Sequence, residues 1–189
     1  MIKKTLFVLF LAFMITCLPK DCFADEGDLS LGGIFGGAGL RGMSDCGSNG
    51  FGFGGFFSYA PSDLFDLDLN FVYSPHSNGA NKANSFYGTI ALKGGMTYDQ
   101  LLPFITAGVG VYRNSVTRSG LDDSAASFGF NFGGGMDVDL GKSFRIGLLA
   151  RYHSVLGKDA AGARGVDDMW DVLLRVGFLF RTGVQGGWD

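Results

Sequence analysis

The chain has 189 residues, 32 of them glycine and 19 phenylalanine, and its 15 basic and 18 acidic side chains leave a net charge of −3 at neutral pH. A chain of this length makes one domain, and an acidic balance without a basic stripe argues against a nucleic-acid partner. After residue 24 no stretch holds 18 uninterrupted apolar residues, which excludes spanning helices there.

The opening MIKKTLFVLFLAFMITCLPKDCFA sets Lys3 and Lys4 before an apolar run from Leu6 to Leu18 and ends in Cys22-Phe23-Ala24. That is the pattern of a secretory signal peptide cut before Asp25. The run is shorter than the ~20 residues of a membrane anchor, and Met14-Ile15-Thr16 before Cys17 fits a lipoprotein signal poorly. The expected organisation is a signal peptide over residues 1–24 and a single barrel domain over 25–189. Taking 24 residues from 189 leaves 165, and losing Lys3, Lys4, Lys20 and Asp21 leaves 12 basic and 17 acidic residues, a net of −5. Cys46 is then the one remaining cysteine, so no internal disulfide can form. It is either a free loop thiol or an intermolecular one, and the first is the expectation.

Eight stretches alternate with period two, beginning near Asp28, Asn49, Leu64, Ser85, Pro103, Ser127, Ser143 and Trp170. In the first, Leu29, Leu31 and Phe35 share the apolar side, while Gly32, Gly33, Gly36, Gly37 and Gly39 mark a bulge or tight curvature. The pattern does not set the register of the first two strands. In the third, LFDLDLNFVYS, Phe65, Leu67, Leu69, Phe71 and Tyr73 oppose Asp66, Asp68, Asn70 and Ser74. The fourth sets Phe86, Ile90, Leu92, Met96 and Tyr98 against Thr89, Lys93 and Thr97. In the sixth, Phe128, Phe130, Phe132, Met136, Val138 and Leu140 oppose Asn131, Asp137 and Asp139. The seventh opposes Phe144, Ile146, Leu148, Ala150 and Tyr152 to Arg145, Arg151 and His153, and the eighth opposes Trp170, Val172, Leu174, Val176, Phe178 and Phe180 to Asp171 and Arg175.

Charges at every second place exclude a buried parallel sheet. The apolar faces are too many for one small interior, so the economical solution is a closed antiparallel barrel with its apolar side toward lipid and its polar side toward the lumen. The expected fold is an all-β, eight-stranded, up-and-down transmembrane barrel. Connections alternate in size: Ala60–Asp63, Asp99–Leu102 and Gly141–Lys142 are tight, whereas Arg41–Ser48, Pro75–Asn84, Asn114–Ala126 and Ser154–Met169 are long and polar. Short periplasmic turns and long outer loops are the asymmetry of outer-membrane barrels. Tyr59, Phe65, Tyr98, Phe104, Phe144 and Phe180 are expected in an inner aromatic belt and Tyr73, Phe86, Tyr112, Phe128, Tyr152 and Trp170 in an outer one.

The segments PFITAGVGVYRN and FNFGGGMDVDLGKSFRIGLLARYHSV resemble the fifth strand and the sixth-to-seventh strands of the small outer-membrane barrels of the OmpA/OmpX type. The order and spacing of these segments carry the resemblance across the chain after residue 24. It implies residence in the outer membrane of a Gram-negative bacterium, contact with lipid and lipopolysaccharide, and folding by the barrel-assembly machinery. Members commonly end on an aromatic residue, whereas here Phe180 is followed by RTGVQGGWD, so the assembly signal is either internal, at Phe178 and Phe180, or supplied by Trp188. The larger members of that family also carry a peptidoglycan-binding domain, which is not expected within these residues.

Eight strands enclose a lumen that side chains just fill. Asp66, Asp68, Lys93, Asp137, Asp139, Arg145 and Arg175 are placed in its periplasmic half and Arg151 and Asp171 higher, as cross-strand partners. Such charges form either a selectivity ring or a salt-bridged plug, and lumen width favours the plug. The expected role is structural or surface-interacting, through the long loops, in a monomer without enzymatic activity or cofactor. A narrow porin and a lipid-modifying hydrolase are the alternatives, and a soluble ligand-binding barrel is the remaining rival. For the hydrolase, His153 and Ser154 are adjacent and so face opposite sides of a strand, where a nucleophile and its base must share hydrogen-bond reach. Asp159 or Asp171 could orient the imidazole. The glycine strings GGIFGGAG and FGFGGF lack the lysine and helix of a phosphate loop, and Asp122, Asp123, Asp167 and Asp168 lack the ligand spacing of an EF-hand.

Overall fold

A computed structural model describes residues 26–41, 49–62, 64–79, 81–118, 121–156, 159–160, 163–164 and 168–181. Residues 1–24, where the signal peptide is expected, Cys46, Asp167 and Trp188 lie outside them. The strands are β1 (Leu29–Arg41), β2 (Asn49–Ser62), β3 (Phe65–Asn78), β4 (Asn81–Gly95), β5 (Leu101–Arg118), β6 (Leu121–Leu140), β7 (Phe144–Leu156), β8 (Asp159–Ala160), β9 (Ala163–Arg164) and β10 (Asp168–Phe180). Eight of them close one antiparallel barrel in the order β1-β10-β7-β6-β5-β4-β3-β2, while β8 and β9 form a two-stranded ribbon of their own. The barrel closes where β1 meets β10, in unbroken register from Leu29↔Phe180 to Arg41↔Asp168. Closure leaves no sheet edge along the waist of the barrel, the condition for strands in lipid, where no water can satisfy an unpaired peptide group.

The alternation of the sequence becomes inside and outside. Phe71, Leu92, Phe132 and Leu148 point outward and are 54%, 55%, 61% and 52% exposed, while Asn70, Lys93, Asn131 and Leu149, their neighbours or near neighbours on the other face, are buried. So large an apolar belt on a small domain is a lipid-facing surface. A strand of 13 residues such as β7, at ~3.3 Å per residue and a ~40° tilt, rises roughly 33 Å, enough to cross an apolar band of about 25 Å.

At the end carrying the termini the connections are tight, and we call it the turn end. Tyr98 and Leu101 bridge each other in both directions at 2.8 and 2.9 Å, with Asp99 in the left-handed region at φ 57°. The β6–β7 turn uses Gly141 at φ 72°, a conformation that most residues with a Cβ avoid.

At the opposite, loop end two expectations are corrected. Among the described residues, 75–78, 81–84, 114–118 and 121–126 are strand rather than open loop. β3 and β4 stay paired up to Asn78↔Asn81, next to Gly79 at φ 61°, and β5 and β6 up to Arg118↔Leu121. Backbone pairing does not end where the apolar face ends: above the lipid the same hydrogen bonds continue with polar side chains. The 20 residues of β6 against the 13 of β7 raise the β5–β6 hairpin roughly 15–20 Å above its neighbour, at the rise and tilt used above.

The glycine-rich β1 carries no bulge, since its register with both β10 and β2 is continuous. The register shift lies in β2 instead, between Tyr59 and Ser62 against β3. The β1 glycines serve close approach: a Cβ on Gly32 would overlap the Val176 carbonyl oxygen and the Phe56 ring. Inside the barrel Ile34, Leu40, Phe56, Val72, Met169 and Leu173 form part of an apolar cluster, so the lumen is a mixed core with polar clusters between apolar layers. Phe104 and Tyr112 belong to this interior, at 5% and 0% exposure, which corrects their placement in the aromatic belts. Leu101, Ile105 and Val111 are exposed on β5, so that strand turns its even-numbered residues inward. Gly135 makes room for the Phe104 ring, which a Cβ there would strike.

Candidate functional site: the charged interior

The nine charged residues singled out from the sequence all lie inside the barrel, none more than 9% exposed. They fall into separate clusters. Toward the turn end, Lys93 on β4 reaches Asp66 on β3 at 3.2 Å and Asp137 on β6 at 2.7 Å, and its ammonium lies 4.6 Å from the centre of the Phe104 ring. Asp66 and Lys93 are direct register partners, so the strand pairing itself aligns them. Across the lumen, Arg175 on β10 holds Asp68 on β3 with two nitrogens at 2.9 and 3.1 Å and covers the Phe56 ring at 4.2 Å. Ser58 and Asn70 also donate to Asp68, Asn70 at 2.9 Å. At the rim, Arg145 grips Asp139 at 2.6 and 3.1 Å, and Arg181 joins it at 3.1 Å.

Nearer the loop end sits a second layer. Asp171 on β10 accepts from Arg151 on β7 at 3.2 and 2.8 Å, from the Tyr87 hydroxyl at 2.6 Å, and lies 3.0 Å from His153 Nε2. Arg151 also donates to Thr89 at 3.1 Å, and the Tyr112 hydroxyl lies 2.9 Å from His153 Nδ1. Tyr87 and Tyr112 stack at 5.8 Å, and Tyr87 meets the His153 ring at 5.1 Å. This plate of two tyrosines, a histidine, an arginine and an aspartate crosses the lumen. Arg151 and Asp171 are register partners, as the sequence suggests. Between Asp159 and Asp171, the two acids the sequence leaves open for the imidazole, it is Asp171 that meets His153; Tyr87 and Tyr112 are not singled out by the sequence as lumen residues, although Tyr87 shares the inward parity of Thr89 and Lys93.

The Lys93, Arg175 and Asp171 clusters join strands far apart in sequence, whereas Asp139 and Arg145 face each other across one hairpin, so three of the four clusters cross-link the barrel wall. Pairing is what allows these charges to stay inside: an isolated buried ion would cost several kcal/mol. Several polar atoms remain without a partner, among them Asp66 Oδ1, Thr106 Oγ1, Ser85 Oγ and both side-chain polar atoms of Asn131.

The adjacent His153 and Ser154 do not share a face. His153 is fully buried in the lumen, while Ser154 lies on the outward side of β7. Asp171 does orient the imidazole, but the hydroxyl within reach of His153 belongs to Tyr112, which is itself fully buried. Among the described residues no three His, Cys, Asp or Glu side chains converge as a metal centre.

A closed eight-stranded barrel, with apolar exterior and ion-paired interior, defines a transmembrane β-barrel. The chain matches the family model for the outer membrane protein beta-barrel domain over residues 7–180, and it belongs to that family. No curated protein matches its sequence. Among solved structures it is similar to the N-terminal barrel domain of Pseudomonas aeruginosa OprF, with 18% identity and a TM-score of 0.57, covering 82% of this chain and 98% of that one. Similar too are the attachment invasion locus protein Ail of Yersinia pestis (14%, 0.55, covering 82% and 100%) and neisserial surface protein A (16%, 0.56, covering 82% and 96%). At these identities the likeness concerns the fold.

Proposed function

We propose that the protein is an exported, monomeric outer-membrane barrel of a Gram-negative cell, without enzymatic activity, that acts through its loop end as an envelope or surface-interaction component. In this reading residues 1–24 are removed on export, the assembly machinery inserts the rest, and lipid and lipopolysaccharide surround it. The observation that carries the reading is the raised sheet. β3–β6 stay paired above the level of β7, and among the described residues β6 has β7 beside it only from Phe128 to Leu140. The remaining edge, Leu121–Ser127, has no partner strand on that side among the described residues, and such an edge is a surface to which a partner strand can add. Two proteins of similar fold are named for attachment and for the cell surface, which agrees with this use of the loop end.

The test has two parts. Fractionation is expected to recover the protein in the detergent-extracted envelope with heat-dependent gel mobility; release with the soluble periplasm refutes the reading. Surface-exposed partners are then sought with the wild type and with an Ala125→Pro variant, which interrupts the β6 edge. Partner capture by both alike, or by neither, removes the β6 edge from the mechanism.

A narrow porin is the second reading. It is favoured by the unpartnered polar atoms at several heights of the lumen, Asp66 Oδ1, Thr106 Oγ1, Asn131 and Ser85 Oγ, which water would satisfy.

A further inference from the structure

At the turn end the lumen opens into a small cavity of about 10 Å³, room for about one water-sized sphere, lined by Asp28, Ser30, Ser58, Asp66 and Arg145 among others. Around it, among the described residues, the buried carboxylates Asp28, Asp66, Asp68, Asp137 and Asp139 face three buried cations, Lys93, Arg145 and Arg175. Arg181 reaches in from the rim, bonded to Asp139 at 3.1 Å and 4.0 Å from Asp28, with its own side chain 41% exposed. The cations are already committed. Arg145 holds Asp139 through two nitrogens, Arg175 holds Asp68 through two, and Lys93 is divided between Asp66 and Asp137.

The shortfall falls on Asp66. Its Oδ2 shares the Lys93 ammonium at 3.2 Å, while its Oδ1, in a residue 2% exposed, accepts no hydrogen bond. A buried carboxylate oxygen with half a counter-ion is expensive, and this residue lines the cavity. The other donors there are oxygens as well: the Asp28 carboxylate and the hydroxyls of Ser30 and Ser58. An all-oxygen set with water access suits a hard cation, and carboxylates mixed with hydroxyls and waters in irregular geometry suit calcium better than the smaller, octahedral magnesium.

We propose that this vestibule binds one calcium-class cation, with Asp66 Oδ1 as its principal ligand, Asp28 as the second carboxylate, and Ser30, Ser58 and water completing the shell. The ion supplies the positive charge that the interior lacks and ties β1, β2 and β3 together where the barrel opens. Two carboxylates place the affinity in the weak range, about 0.1–1 mM.

The full-length protein, refolded into zwitterionic phospholipid vesicles so that the lipid itself holds little calcium, is titrated calorimetrically with Ca²⁺, Mg²⁺ or Na⁺ in separate runs. The expected result is saturable one-site Ca²⁺ binding, weakened at least tenfold in Asp66→Asn, whose amide oxygen can still accept from Lys93. In the presence of chelator, Asp66→Asn is expected to unfold at a urea concentration equal to or above that of the wild type, because the substitution removes the excess charge. Asp28→Asn, nearer the mouth, is expected to weaken binding too, and it serves if Asp66→Asn fails to refold. Absence of saturable Ca²⁺ binding, unchanged binding in the variants, or equal binding of Mg²⁺ or Na⁺ overturns the assignment.

Discussion

Asp171 is met by Arg151, Tyr87 and His153 at once, and replacing it tests whether the plate closes the barrel. In Asp171→Asn the amide keeps the size of the carboxylate but loses its charge. Arg151, whose side chain is 1% exposed, is then left without its counter-ion, and the bonds from Tyr87 at 2.6 Å and His153 at 3.0 Å are weakened together with the two from the guanidinium. Breaking a buried pair by neutralising one partner costs about 3–5 kcal/mol, roughly a hundredfold to several-thousandfold in the ratio of folded to unfolded protein. Urea titration of the vesicle-inserted protein, followed by heat-dependent gel mobility and by Trp170 fluorescence, reads this directly. Trp170 is suited to it because it is the residue next to Asp171 and faces outward at 43% exposure. The double variant Arg151→Met, Asp171→Leu removes both charges and is expected to recover most of the loss. A single-variant effect below about 1 kcal/mol, or a double variant no better than the sum of the singles, would show that the pair is hydrated and that the plate does not seal the lumen.

Three further outcomes follow from the same geometry. Leu148→Arg puts a charge on the outer face near mid-height and is expected to cost about 2–4 kcal/mol in vesicles, measured by urea unfolding; a change within ~0.5 kcal/mol, normal for an exposed position in water, would contradict a lipid face. Gly32→Ala forces a methyl group against the Val176 carbonyl and the Phe56 ring, whereas Gly37→Ala meets nothing nearer than a Trp170 ring carbon at 3.9 Å. The first should lower stability by about 1–3 kcal/mol and the second by less than about 0.5, and equal effects would refute the close-approach account of β1. In planar bilayers the purified wild type is expected to show no large stable conductance, because Lys93, Arg175 and the plate around Asp171 obstruct the lumen at successive heights; sustained open-state currents would move the protein to the porin reading.

The limits of the sequence are visible at particular residues. Phe104 and Tyr112 stand in PFITAGVGVYRN beside the weak alternation of Ile105, Ala107, Val109 and Val111, and their size suggested belts. Parity along β5 sends them inward, where Gly135 leaves room for Phe104 and Tyr112 meets His153. Segments 75–84 and 114–126 looked like loops because strand recognition from hydrophobic period fails where both faces meet water. Hydrogen bonding carried β3–β6 through them regardless.

What the sequence determined by itself was the sidedness of the wall: an apolar face every second residue, repeated eight times, has no satisfactory partner except lipid. It also placed the nine interior charges, since a charge on the face opposite an apolar run has nowhere to go but the lumen. Which charges meet was decided only by the tertiary structure. Asp68 and Arg175 are 107 positions apart and Tyr87 and Asp171 are 84, and such distances close only when β1 finds β10 and the barrel's stagger sets the relative heights of all its strands. Register and shear are properties of the closed sheet as a whole, so the shortfall of positive charge at Asp66, and the calcium site proposed for it, come into view only once the barrel is closed.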